Sequence, residues 1–270
     1  MQEQRRRQQQ RQQQRQQQRL QQRLQHRPPW NVVPRRRVAI DPQRRDYWKG
    51  ISLTVVRCAL VIQSVTLALC LYAEFGLKGD KKDGLVDANR YELGTNAVEM
   101  CAYYVFWGLL TSTKTPQEVK DTLTFVQYLD WVATTPLMLL ATGALVDEWG
   151  GEGISTGVYA AMFAANNIML CLGYAASRAT GPTTPYATFF VGMLLLGAVY
   201  WPLWNATADQ PAPQALVTST FVIWALYGVA FIWWWKPESF WKRMVVYNVL
   251  DMVSKNAVAL TVAVSLMRTV

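Results

Sequence analysis

Seven apolar stretches, at about 49–75, 91–112, 122–146, 154–177, 186–204, 215–235 and 241–267, dominate the sequence. Each is close to or above the ~20 residues that an α-helix needs to cross roughly 30 Å of hydrocarbon. In lipid only helices and closed barrels satisfy their own backbone donors and acceptors. The pattern therefore predicts an all-α, seven-transmembrane-helix bundle. The connections are short and polar or contain Gly and Pro, as in "GLKGDKKDG", "TSTKTPQE" and "NATADQPAPQ". An integral, multi-pass protein of the lipid bilayer follows, with the plasma membrane as its expected location. The chain opens on polar residues rather than an apolar run, so no cleavable signal peptide is expected.

Charge is unevenly placed. Of the 27 Lys and Arg, 13 Arg fall in residues 1–46 against three acids (Glu3, Asp41, Asp46), leaving 14 basic and 15 acidic residues for the rest. The basicity thus belongs to a tail, residues 1–46, and the membrane domain to residues 47–270. Arg recurs every fourth residue from Arg7 to Arg27, and a helix would gather these into one stripe. A solvated, disordered tail satisfies the same composition; attachment to an anionic membrane surface or to nucleic acid is the functional alternative. Nothing there resembles a folded nucleic-acid module, so nucleic acid is not an expected partner. Cys58, Cys70, Cys101 and Cys171 all fall within predicted spans and lack metal-ligand spacing. They are read as packing residues, and no metal is expected. The single histidine, His26, lies in the tail.

The stretch "VQYLDWVATTPLMLL", residues 126–140, holds Asp130 inside an apolar run, with no Lys or Arg between Lys120 and Arg178. An ionised group in such a place usually faces a cavity and a specific partner. Two basic residues lie deep within predicted spans, Arg57 and Lys255. In "VVYNVLDMVSKNAVALTVAV" Asp251 and Lys255 are i, i+4 and share a helix face. A plain buried ion pair accounts for those two alone. Asp130 adds a second carboxylate, which suits a cation that stays charged while buried, its charge spread over a cofactor.

With these residues in view, the chain resembles the microbial rhodopsins over roughly residues 47–268. "YLDWVATTPLMLL" looks like their third helix, and "LDMVSK" like the seventh, with an aspartate four residues before the retinal lysine. "WALY" is similar to the sixth-helix aromatic motif and "NNIMLCLG" to the fourth-helix floor of the ring pocket. The resemblance implies all-trans retinal bound covalently to Lys255 as a protonated Schiff base, with Asp130 and Asp251 as counterions. It also implies a pocket of Trp131, Thr134, Thr135, Met138, Met169, Gly173, Trp224, Tyr227 and Phe231, in which Trp131 and Trp224 sandwich the polyene. Ordinary helix packing would account for the aromatics alone. Two carboxylates around one cation leave a site of net −1 whose titrations are coupled. The apolar Met138 near the ring implies absorption in the green.

The output is read from departures within that resemblance. Asp130 and Thr134 keep the acceptor side of a proton pump. The position of the cytoplasmic donor is Ala141, and Gln127 stands where pumps place an arginine, a charge that Arg57 is a candidate to replace. Asn256 after the lysine and Glu99 in the second span, with Glu92 on the same face, resemble the gate of channelrhodopsins. A light-gated ion channel is expected, whose pathway includes Glu92, Glu99, Gln127 and Asn256. Glu99 as a lone buried acid that packs neutral is the other reading. A light-driven proton pump and a sensory photoreceptor are the alternatives. No kinase, cyclase or transducer domain follows Val270, and no enzymatic activity is expected. Expected partners are the transported ion (a cation, an anion or a proton) and further copies of the chain in a homo-oligomer. The resemblance implies an N-terminus outside the cytoplasm, whereas the bias of Lys and Arg favours the opposite insertion.

Overall fold

The computed structural model describes residues 42–76, 83–179 and 181–268, so the expectations for the Arg/Gln-rich stretch 1–41 and for His26 lie outside the described residues. Seven long helices fill the described chain. Helix α1 spans Pro42–Leu71 and continues through a π-helical turn, Tyr72–Gly76. Helices α2 (Asp83–Thr111), α3 (Pro116–Glu148), α4 (Thr156–Ser177), α5 (Thr183–Ala206) and α6 (Pro211–Trp233) follow. Helix α7, Phe240–Arg268, passes through a second π-helical turn at Met252–Asn256. The first helix thus begins at Pro42, inside the stretch expected to be tail.

Local chemistry sets the helix ends. Thr115 and Glu118 form a reciprocal cap on α3: Glu118 N–H donates to Thr115 Oγ1 at 3.4 Å and Thr115 N–H to Glu118 Oε2 at 3.0 Å. Pro116 fills the first turn, where its missing N–H is no loss. Ser155 caps α4 by accepting from Val158 N–H. Helix α3 ends on Gly150 at φ 88°, a left-handed position that glycine occupies without Cβ strain. Glu152 N–H then donates to the Ala206 carbonyl at 2.9 Å, tying the α3–α4 connection to the end of α5.

Six of the seven helices are long and apolar enough to cross a membrane. The exception is α2, which the sequence reading counted as a seventh apolar span. It carries Asp87, Arg90, Glu92 and Glu99, and it begins at Asp83, eight residues before the apolar stretch. It is nevertheless central, packed against α1, α3 and α7. Helix lengths fall into two groups. Helices α2, α3 and α7 have 29, 33 and 29 residues, and α1 has 30 before its π-turn. Helices α4, α5 and α6 have 22, 24 and 23. At 1.5 Å per residue the first group measures about 43–50 Å and the second about 33–36 Å.

The interior also has two parts, and α3 contributes to both. Among α3, α4, α5 and α6 it is apolar, built on Leu139, Met162, Leu196, Val199, Tyr200, Leu203 and Val217. Between α1, α2 and α7 two apolar clusters bracket a polar layer. One, toward the N-terminal end of α1, joins Val56, Phe106, Leu110, Val119, Leu123 and Phe240. The other joins Cys70, Leu85, Ala88, Leu145, Val262 and Leu266. On α2 the buried polar residues Asn89, Glu92, Asn96 and Glu99 recur at intervals of three and four, one face of a helix.

Two sequence expectations about α1 and the cysteines are corrected. Arg57 is exposed on the outer side of α1, turned away from the bundle, so it does not supply an interior charge in place of Gln127. Hydropathy places a residue at a depth along the helix, not on a side. Likewise Cys58, Cys101 and Cys171 face outward, and only Cys70 packs inside.

Candidate functional site

Lys255 sits in the π-helical turn of α7, 1% exposed, at the level where α2, α3 and α7 meet. Its Nζ lies 2.8 Å from Asp130 Oδ2, 3.5 Å from Glu99 Oε1 and 3.9 Å from Asp251 Oδ1. The pairing expected of Asp130 and Asp251 with Lys255 is therefore present, and it is incomplete. Glu99, expected in a gate beside the Schiff base rather than as a main counterion, belongs to the same cluster. Three carboxylates rather than two surround the ammonium. The turn of α2 that brings Asn96 inward brings Glu99 with it, which is why the periodicity placed the residue on the right face without naming its neighbour.

The two aspartates are held differently. Asp251 Oδ1 accepts from Trp131 Nε1 at 3.1 Å and from the Tyr227 hydroxyl at 2.7 Å, and Tyr103 OH reaches Oδ2 at 3.5 Å. Asp130 accepts from Lys255, and its Oδ1 has no hydrogen-bond partner among the described residues. Trp131 is braced by Tyr128, Tyr227 and Tyr247, with ring centroids 5.1–5.2 Å away and near-perpendicular planes. Edge-to-face contacts of this kind fix an indole's orientation.

A cavity of about 70 Å³ opens from the lysine, lined among others by Trp131, Thr135, Met138, Met169, Trp224 and Tyr227. A second, of about 110 Å³, shares Trp131, Met169, Trp224 and Tyr227 with it and adds Gly173 and Phe231. Eight of the nine expected pocket residues thus line one cavity or the other. Thr134 lines neither; it is buried, and its hydroxyl donates to the Asp130 carbonyl at 2.9 Å. A Cβ at Gly173 would lie 2.9 Å from the Tyr128 hydroxyl, so the glycine leaves room for that ring.

The remaining expected residues are buried. Gln127 lies one turn before Asp130 with its Nε2 unpartnered among the described residues, and Asn256, next to Lys255, has neither end of its amide bonded. Glu92 is 0% exposed with both oxygens unpartnered, and Ala141 is fully buried. Sequence reasoning missed Tyr103, Ser254 and Asn166. Ser254 Oγ lies 3.1 Å from the Tyr227 hydroxyl, and Asn166 Nδ2 donates to Thr135 Oγ1 at 2.6 Å, fastening α4 to α3 beside the pocket. Neutral polar residues within apolar spans give no charge to balance, so nothing in the sequence singled them out.

A model of the family of bacteriorhodopsin-like proteins matches residues 56–269. Among solved structures, the viral rhodopsin OLPVRII superposes with a TM-score of 0.67 at 22% identity, over 81% of this chain and 99% of that one. The proton-pumping rhodopsin of the marine alga Acetabularia acetabulum gives 0.64 at 17% identity, over 81% and 95%. The light-driven proton pump of Leptosphaeria maculans gives 0.61 at 14%, over 81% and 96%. At such identities these likenesses speak for the fold alone. No curated protein sequence matched. The family match covers most of the chain and the helices adopt the same bundle, so the chain belongs to the bacteriorhodopsin-like family of retinal-binding microbial rhodopsins.

Proposed function

We propose that this chain is a light-gated ion channel, with residues 47–270 as its retinal-binding membrane domain. Whether retinal fits is a question for the pocket itself. Lys255 offers one primary amine at the end of two adjoining cavities, Trp131 and Trp224 line both, and the walls are otherwise largely apolar. When bound, retinal supplies light absorption and a change of shape at the lysine nitrogen.

The chain's own residues do the rest. Asp130, Glu99 and Asp251 hold negative charge around the nitrogen, and Trp131 and Tyr227 orient Asp251. The observation that carries the channel reading is the polar face of α2. Asn89, Glu92, Asn96 and Glu99 span eleven residues, about 15 Å of helix, fully buried against α1 and α7 and running to the lysine. Buried polar groups persist where they bind a partner or water. A path that passes the nitrogen itself lets a change of charge or shape there admit or exclude ions.

The proton pump is the second reading. It is favoured by the 2.8 Å contact of Asp130 with Lys255 and by relatives described as proton pumps. Against it, Ala141 has no proton to give. Whole-cell voltage clamp under illumination separates the two. A channel gives photocurrents that reverse where the driving force vanishes, and Glu99→Gln or Asn256→Leu alters them. A current of one sign from strongly negative to strongly positive voltage would hand the function to the pump.

A further inference from the structure

The layer between α1, α2 and α7 has a chemical bias. Asn89 Nδ2 donates to the Cys70 carbonyl at 3.1 Å, and Asn96 Nδ2 to the Glu92 carbonyl at 2.9 Å. A carbonyl only accepts, so each amide has its N–H end fixed and its oxygen left over. Asn89 Oδ1, Asn96 Oδ1, both Glu92 oxygens and Thr66 Oγ1 are buried without a hydrogen-bond partner among the described residues. Gln63 and Asn256 have both amide ends unbonded, so either can turn its oxygen inward without breaking a bond.

The helix register brings most of these together. Helices α1 and α2 run antiparallel, with Cys70 beside Asn89 and Ser64 beside Met100. Thr66 and Gln63, one and two turns back from Cys70, therefore stand level with Glu92 and Asn96, one and two turns beyond Asn89. Helix α7 closes the third side, where Cys70 Sγ meets the Ala259 carbonyl at 3.8 Å and Asn256 lies one turn earlier. Glu92 and Glu99 are the acidic residues of this face of α2, both 0% exposed, and Glu99 already meets the Lys255 ammonium at 3.5 Å, which leaves Glu92 to the layer.

We propose that this layer binds a monovalent alkali cation, coordinated by Glu92 and by oxygens of Gln63, Thr66, Asn96 and Asn256. Hard cations take oxygen ligands, and neutral oxygens in a ring replace a shed hydration shell. One carboxylate among neutral donors matches a single positive charge, whereas calcium sites gather several carboxylates. Asn89, at the outer end, also donates to Glu74 Oε2 at 3.3 Å, and Glu74 pairs with Arg90 at 2.8 Å, which marks the mouth of the layer.

The inference rests on the channel reading for its pathway, but binding is measured in the dark on the purified resting protein. Melting is compared in sodium or potassium chloride and in choline chloride at equal ionic strength. The expected result is a melting temperature about 2–4 °C higher in the alkali salts, saturating with concentration. Glu92→Gln, of nearly unchanged shape, should abolish the difference, and Thr66→Val should reduce it. Broadening of the sodium NMR line by wild type, relieved by potassium, provides a readout that needs no folded variant. Equal melting in alkali and choline salts, or a difference that survives Glu92→Gln, would falsify the site. Photocurrent reversal reports separately: one-signed currents with alkali-dependent melting intact sink the channel and leave the site, and reversing currents without that melting effect do the opposite.

Discussion

Asp130 and Asp251 face the same nitrogen but differ in what else holds them, and the difference carries a spectral prediction. Asp251 shares its charge with Trp131 and Tyr227, whereas Asp130 directs an oxygen at Lys255 from 2.8 Å. Negative charge beside a buried cation stabilises positive charge at the nitrogen, and light moves that charge away from it. Removing the Asp130 charge should therefore shift the visible band to longer wavelength. Asp130→Asn, which removes that charge and nearly keeps the shape, should show the longer-wavelength band at neutral pH. Lys255→Ala should show no such band with all-trans retinal. Asp251→Asn should move the band less than Asp130→Asn. Absorption spectra of the three variants check all of this, and an Asp130→Asn spectrum equal to wild type would pass the main role to Asp251. Asp130 and Lys255 were legible in the sequence because a charge in an apolar run demands an opposite one. Glu99 was legible as a polar residue on the right face, but its partner depends on how α2 is rotated against α7, which no single helix encodes.

Helix α2 decides more than any other element, and it is the one whose sequence looks least like a membrane span. Its polar face works because α1 and α7 cover it, so its stability derives from tertiary packing rather than hydropathy. The same face turns apolar toward the other end of the bundle, at Phe106 and Leu110, which pack with Val119 and Leu123 of α3 and Phe240 of α7. A polar path that meets such a cluster is closed by dewetting rather than by a steric door. Val119→Thr and Leu123→Asn keep nearly the same shape while adding groups that hold water. Both should raise the conductance measured in darkness several-fold and leave the visible band in place, and unchanged dark conductance in both would remove the cluster from the path. The existence of seven helices was legible because length and apolarity are local. The start of α2 was misplaced because Asp87 and Arg90 interrupt the apolar run, while the cap that sets α3, Thr115 to Glu118, was there to be read.

At the scale of the molecule, what stands out is the unequal height of its two halves. A hydrocarbon layer of ~30 Å is nearly matched by α4, α5 and α6, while α1, α2, α3 and α7 overshoot it by about 13–20 Å. Thickening the bilayer with longer acyl chains therefore strains the halves unequally. Hydrogen exchange in vesicles of increasing thickness should quicken first in α4, α5 and α6; earlier loss of protection in α1 or α7 would contradict the height difference. Lipid must then meet a rim that is low on one side and high on the other. Such a rim favours tilt, local thickening on the tall side and neighbours that share the same step. The thickness of the surrounding membrane becomes a variable the protein feels, and the bilayer's mechanics act on the side of the bundle that carries the polar layer.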